Sequence, residues 1–251
     1  MGRAEHITRN AKYAVAGELL LAVLKFVSRR VFALLLGREY LGLGGLFTDV
    51  FSMLSLAELG FSVSITYSLY RPVAQGDTEM VKSLIQLYRR VYRAVGLVVL
   101  AVGLSLAPFL GFFVKEMPKG IPHIPLIYVL HLINASIPYF FAHNSTLLFV
   151  HQKKYVETAA RSLVSLVGTA AQLGVLLLTR DYLHYLLLGI VATVVQGAAV
   201  SVQTGRLYPY LWEGRARPLP GETVTEIRRN VRAMLLHRVG TVVVFNTDSL
   251  Q

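Results

Sequence analysis

Residues able to do chemistry stand out here because they interrupt apolar runs. Within "ELLLAVLKFVSRRVFALLLG" lie Glu18, Lys25, Arg29 and Arg30, and within "LGLGGLFTDVFSMLSLAELGFSVSITYSLY" lie Asp49 and Glu58. At about 100° per residue on a helix, Lys25 falls about 20° to one side of Glu18 and Arg29 about 20° to the other. Arg30 points about 120° away from Glu18 by the same count. One stripe of Glu18, Lys25 and Arg29 can therefore face water or protein while the leucines face elsewhere. The competing reading pairs Glu18 with Lys25 and lets Arg29 and Arg30 snorkel outward.

The two carboxylates do not make an acid–base pair. Asp49 and Glu58 are nine residues apart, about 180° around a helix and roughly 13 Å along it. Glu58 shares a face with Ser55 and Ser62, forming a polar patch that could line a cavity opposite the basic stripe. Asp49 falls on the other side, where contact with a neighbouring helix is an equal possibility. His131, His143, Asn144 and His151 lie in or beside a later apolar run, without metal-ligand spacing. No phosphate-binding glycine loop, nucleophile elbow or cysteine is present. These residues imply no catalysis, no metal and no cofactor.

The elements that must hold these side chains are long apolar helices. The 251 residues are 54% hydrophobic and only 16% charged, with a mean hydropathy of +0.54. Spanning the hydrocarbon takes about 20 apolar residues, and six runs meet that length: roughly 13–36, 43–69, 92–114, 124–150, 158–179 and 183–207. The basic start followed by an apolar run without a cleavage pattern reads as a retained first helix. The net charge of +11 belongs to connections between apolar runs and gives no reason to invoke nucleic acid. One set of alternate connections carries seventeen Lys and Arg, the other four. That split predicts a cytoplasmic N-terminus. The connection around 71–91 reads as amphipathic or irregular. The proline-rich stretch 208–232 reads as a linker, with a short helix after the Thr225 region offering arginines to anionic headgroups.

Several stretches resemble a known family. "SRRVFALLLGREYLGLGGLFTDVFSMLSLAELGFSVSITYSLYRPVAQGD" (28–77), "YFFAHNSTLLFVHQKKYVET" (139–158), "LYPYL" (207–211) and "HRVGTVVVFNTDSL" (237–250) are similar, in the same order, to bacterial polysaccharide-export flippases. These are the Wzx-type O-antigen translocases of the MATE-like multidrug/oligosaccharidyl-lipid/polysaccharide exporter superfamily. The resemblance implies an all-α polytopic membrane protein: two six-helix lobes flank a cavity that opens alternately to the two sides. It implies an undecaprenyl-pyrophosphate-linked oligosaccharide as cargo, membrane lipids as surroundings and a bacterial or archaeal inner membrane as location. The Ser28–Arg29 pair also resembles the first helix of the related lipid II flippase, whose arginine faces a cationic cavity. Arg29 is thereby implied as a phosphate or acidic-sugar contact, with Lys25 in support.

The expected organisation is a cytoplasmic segment 1–12, a six-helix transmembrane lobe 13–207, a cytoplasmic linker 208–232 and the start of a seventh helix at 233–251. Family members carry a second lobe, so a partial chain lacking its C-terminal lobe is expected. Two other readings stand beside this one: a polytopic enzyme acting on lipid-linked sugars, and a drug-extruding relative of the same fold.

Overall fold

The computed structural model describes residues 3–55, 59–113, 120–213 and 216–233; its side chains cover these ranges except 3–14, 18, 25, 53–55, 59, 60, 112 and 113. Every regular element among the described residues is helical. The elements are α1 (Arg3–Leu36), α2 (Arg38–Ser55), α3 (Leu59–Gln75), α4 (Thr78–Leu106), a 3-10 turn at Ala107–Phe109, α5 (Leu110–Phe113), α6 (Ile124–Val150), α7 (Lys154–Thr179) and α8 (Tyr182–Leu207). A second 3-10 turn follows at Pro209–Leu211, and residues 221–233 form a last helix, α9.

Among the described residues, four helical segments are long and apolar enough to cross a membrane: Thr78–Phe109, Ile124–Val150, Lys154–Thr179 and Tyr182–Leu207. The other elements of the expected six spans fall short of this measure for visible reasons. The stretch 13–36 in α1 holds four charged residues, the 18-residue α2 holds Arg38, Glu39 and Asp49, and α3 is only 17 residues long. The exterior supports a membrane setting. Leu178 is 86% exposed and Phe26 75%, and many valines and leucines of α1, α4, α7 and α8 are similarly bare. An apolar outer surface of that extent is a liability in water and the proper face toward lipid.

The helices pack mainly as neighbours, α7 along α8 and α1, and α6 along α4 and α8. Polar groups stitch the seams, as suits helices whose apolar faces gain little by leaving lipid for one another. The Tyr128 hydroxyl donates to the Gly103 carbonyl at 2.8 Å. On the same side of α6, Thr146 donates to the Tyr88 hydroxyl at 3.2 Å, and Ser62 of α3 lies 3.3 Å from that oxygen. Tyr88 and Tyr92 stack with ring centres 4.3 Å apart.

Ring contacts and hydrogen bonds of the described residues gather at two ends of the bundle. At one end Phe32, Tyr40 and Tyr182 of α1, α2 and α8 meet edge to face. At the other, the His151 ring lies 4.3 Å from that of Tyr208, and Ser83 donates to the Arg217 carbonyl at 2.8 Å.

Two stretches differ from the sequence reading. The connection expected at 71–91 is almost entirely helical: α3 runs to Gln75 and α4 starts at Thr78. Gly76 makes the turn at φ +71° and Asp77 caps α4, accepting from the Met80 amide at 2.9 Å. Between 208 and 232, α9 begins at Gly221, earlier than the Thr225 region.

Candidate functional site

The backbone of α1 carries Arg29 two turns from its end at Leu36, about 10 Å along the axis. There it forms part of the wall of a polar cavity of about 500 Å³ among α1, α2, α6, α7 and α8. Ser28, Tyr40, Thr48, His131, Asn134 and Gln172 contribute polar groups to the same lining.

Several contributors are held by partners. His131 Nε2 and the Tyr182 hydroxyl share a hydrogen bond of 2.8 Å across the α6–α8 seam. One turn further along, Thr193 donates to Asn134 Oδ1 at 2.7 Å and also to its own Gly189 carbonyl at 2.9 Å. Gln172 of α7 donates to the Tyr185 carbonyl at 3.0 Å. Its amide occupies space left by the missing side chain of Gly189; a Cβ there would lie 2.9 Å from Gln172 Nε2. Beyond the cavity, Asn144 donates to Ser201 at 2.7 Å and continues the polar seam. Phe32 and Tyr40 pack on Tyr182 and close the cavity toward the nearer end of the bundle. At that rim Asp181 caps α8, accepting from the Leu183 amide at 2.9 Å. This amide holds the Asp181 carboxyl below the usual carboxylate range; slight burial opposes the effect and a hydrogen bond with His184 adds to it.

Arg29 also borders a second opening. A groove of about 800 Å³ between α1 and α2 is lined by Arg29, Arg30, Arg38 and Asp49 among apolar Phe26, Leu41 and Leu46. Nothing lies within 4 Å of where a Cβ would sit on Gly42 or Gly45, so the α2 wall of this groove is open. Three guanidinium groups against one carboxylate make its described lining cationic. The arrangement can take an anionic group at the arginines while the apolar walls accept hydrocarbon.

The sequence candidates thus divide. Arg29, Arg30 and Asp49 come together on the groove, and Arg29 alone of them reaches the polar cavity. Ser62 lies elsewhere, in a cleft of about 390 Å³ lined also by Thr66, Tyr67, Thr146, Lys154 and Glu157. Glu58 lies outside the described residues, and so do the side chains of Glu18, Lys25 and Ser55. Arg38, Tyr40, Asn134, Gln172 and Tyr182 belong to the site without having been singled out, and His131 was weighed only as a metal ligand. Single polar residues in apolar helices carried the available signal; their convergence across α1, α2, α6, α7 and α8 did not show in the chain.

Among the described residues no group of three His, Cys, Asp or Glu could hold a metal ion. Comparison with known proteins finds no matching family model, no similar curated protein and no similar solved structure.

Proposed function

We propose that this chain is a lobe of an alternating-access flippase that moves an undecaprenyl-pyrophosphate-linked oligosaccharide across the inner membrane of a bacterium or archaeon. In this reading α1, α2 with α3, α4, α6, α7 and α8 supply six spans of a MATE-like lobe, its N-terminus cytoplasmic. A second lobe closes the other side of the cavity, and no catalytic step is required.

The observation that carries the proposal is the position of Arg29. It stands on the wall shared by a polar cavity and a cationic groove within an otherwise lipid-facing bundle. A charge inside a membrane helix, even two turns from its end, is costly to leave against hydrocarbon, so such an arginine calls for an anionic partner or water. Pyrophosphate offers oxygens matched to the guanidinium fork, and the apolar groove walls suit a polyprenyl tail.

The test is binding of polyprenyl pyrophosphate to the purified chain in nanodiscs, against polyprenol of equal length. Wild type is expected to prefer the pyrophosphate, and Arg29→Gln to weaken its binding about tenfold, the loss of one charge-assisted contact. Arg29→Lys keeps the charge, loses the fork and falls between. Equal binding of the two lipids, or of wild type and Arg29→Gln, would sink the proposal.

A further inference from the structure

The end of the bundle that carries the linker has a charged exterior that the translocation reading leaves unused. α4 has 29 residues, about 44 Å of helix, against a hydrocarbon core of about 30 Å. Its first sixteen residues hold Glu79, Arg89, Arg90 and Arg93, with a buried Lys82, so that stretch is the part extending to headgroup depth.

The linker is fastened to this stem. Ser83 holds the Arg217 carbonyl, and Arg217 Nε lies 3.8 Å from Glu79. The Arg89 guanidinium sits 5.9 Å from the centre of the Trp212 ring. α9 then lies against α3 and α4, with Ile227 and Val231 buried. Thr223, Glu226 and Asn230 line its cleft with Arg71, Gln75 and Asp77. With that face turned inward, Arg228, Arg229 and Arg232 fall within an arc of about 100° on the far side of the helix. All three are exposed. Trp212, at the same end, is 63% exposed although it is large and apolar. Interfacial depth is where an indole is stable with one side wet and the other in lipid.

We propose that this end is a docking surface for anionic phospholipid headgroups, held by Arg228, Arg229 and Arg232, with Trp212 as its interfacial anchor. Charge complementarity identifies the occupant: three exposed arginines on one face beside an exposed indole match a phosphate-bearing leaflet, whose attraction for basic side chains adds up residue by residue. The surface is independent of the Arg29 site, and either can fail alone.

Trp212 is the chain's single tryptophan, so its emission reports this place only. The full chain is reconstituted in nanodiscs of phosphatidylcholine with a minority of phosphatidylglycerol. Energy transfer from Trp212 is then measured to the same headgroup dye carried on either lipid. Transfer to the phosphatidylglycerol probe is expected to exceed that to the phosphatidylcholine probe by about threefold or more, and to fall with added salt. The triple variant Arg228→Gln/Arg229→Gln/Arg232→Gln should equalise the two, while the corresponding triple Lys variant keeps the preference and shows that α9 still docks. Equal transfer in wild type, or a preference unchanged by the Gln variant, overturns the proposal. So does capture of a soluble acidic protein in place of the lipid preference.

Discussion

Asp181 shows how one side chain fixes a helix at the rim of the candidate site. It accepts from the Leu183 amide at the start of α8, the position where a carboxylate satisfies an otherwise unpaired donor and meets the positive end of the helix. Its pKa is lowered in the fold, chiefly by that amide. A lowered folded value means the contribution is present above the unfolded pKa and is lost as the pH falls through the folded one. Asp181→Ala is expected to cost about 0.5–2 kcal/mol at neutral pH, the range for losing a helix N-cap. Asp181→Asn still accepts the bond but does not titrate, so its stability should stay flatter than wild type on acidification. Thermal unfolding of the three proteins across the acid range checks both statements. At this scale the sequence was informative about charge and poor about company. Arg29 announces itself because a cation in an apolar run needs a reason. His131, Asn134 and Tyr182 do not, since a single polar residue in an apolar helix reads equally well as a packing contact. Their bonds join α6 to α8 across 51 and 59 residues of chain.

Elements are legible where hydropathy alone defines them and blurred where charge and helix coexist. The runs 124–150, 158–179 and 183–207 match α6, α7 and α8 closely. The third span did not, because the first half of α4 is too charged to register as a membrane segment. Asp77 after Gly76, with Glu79 in the first turn, was the start signal there. What no pattern displays is how closely helices approach. α8 meets α6 where Gly197 faces Phe141, and a Cβ on Gly197 would overlap that aromatic ring. Gly174 on α7 faces open space. Gly197→Ala is therefore expected to destabilise the bundle by about 1–3 kcal/mol through overpacking. Gly174→Ala should be neutral or stabilising by up to about 1 kcal/mol, since alanine is the better helix former. Unfolding midpoints of both variants in one detergent separate close approach from helix propensity. Equal shifts of the same sign would contradict the packing of α8 on α6.

For the whole molecule the decisive quantity is which end faces which compartment. The described contacts gather at two ends of the bundle, and the seventeen-to-four distribution of basic residues is the ground on which the proposed function sets the richer end in the cytoplasm. Both proposals depend on this sidedness. A cargo loaded from the cytoplasm must reach Arg29 from the arginine-rich end, and α9 must meet the inner leaflet. The chain contains no cysteine, so single cysteines can be introduced without background. Glu39 and Thr179 are exposed near the arginine-poor end, Gln75 and Glu213 near the other. In intact cells an impermeant maleimide should label Glu39→Cys and Thr179→Cys. Gln75→Cys and Glu213→Cys should react only after the membrane is opened. The reverse pattern would invert the topology and turn α9 away from the inner leaflet. Labelling of all four in intact cells would mean that the connections do not alternate across a bilayer at all, and the polar cavity would lose its claim to be a passage.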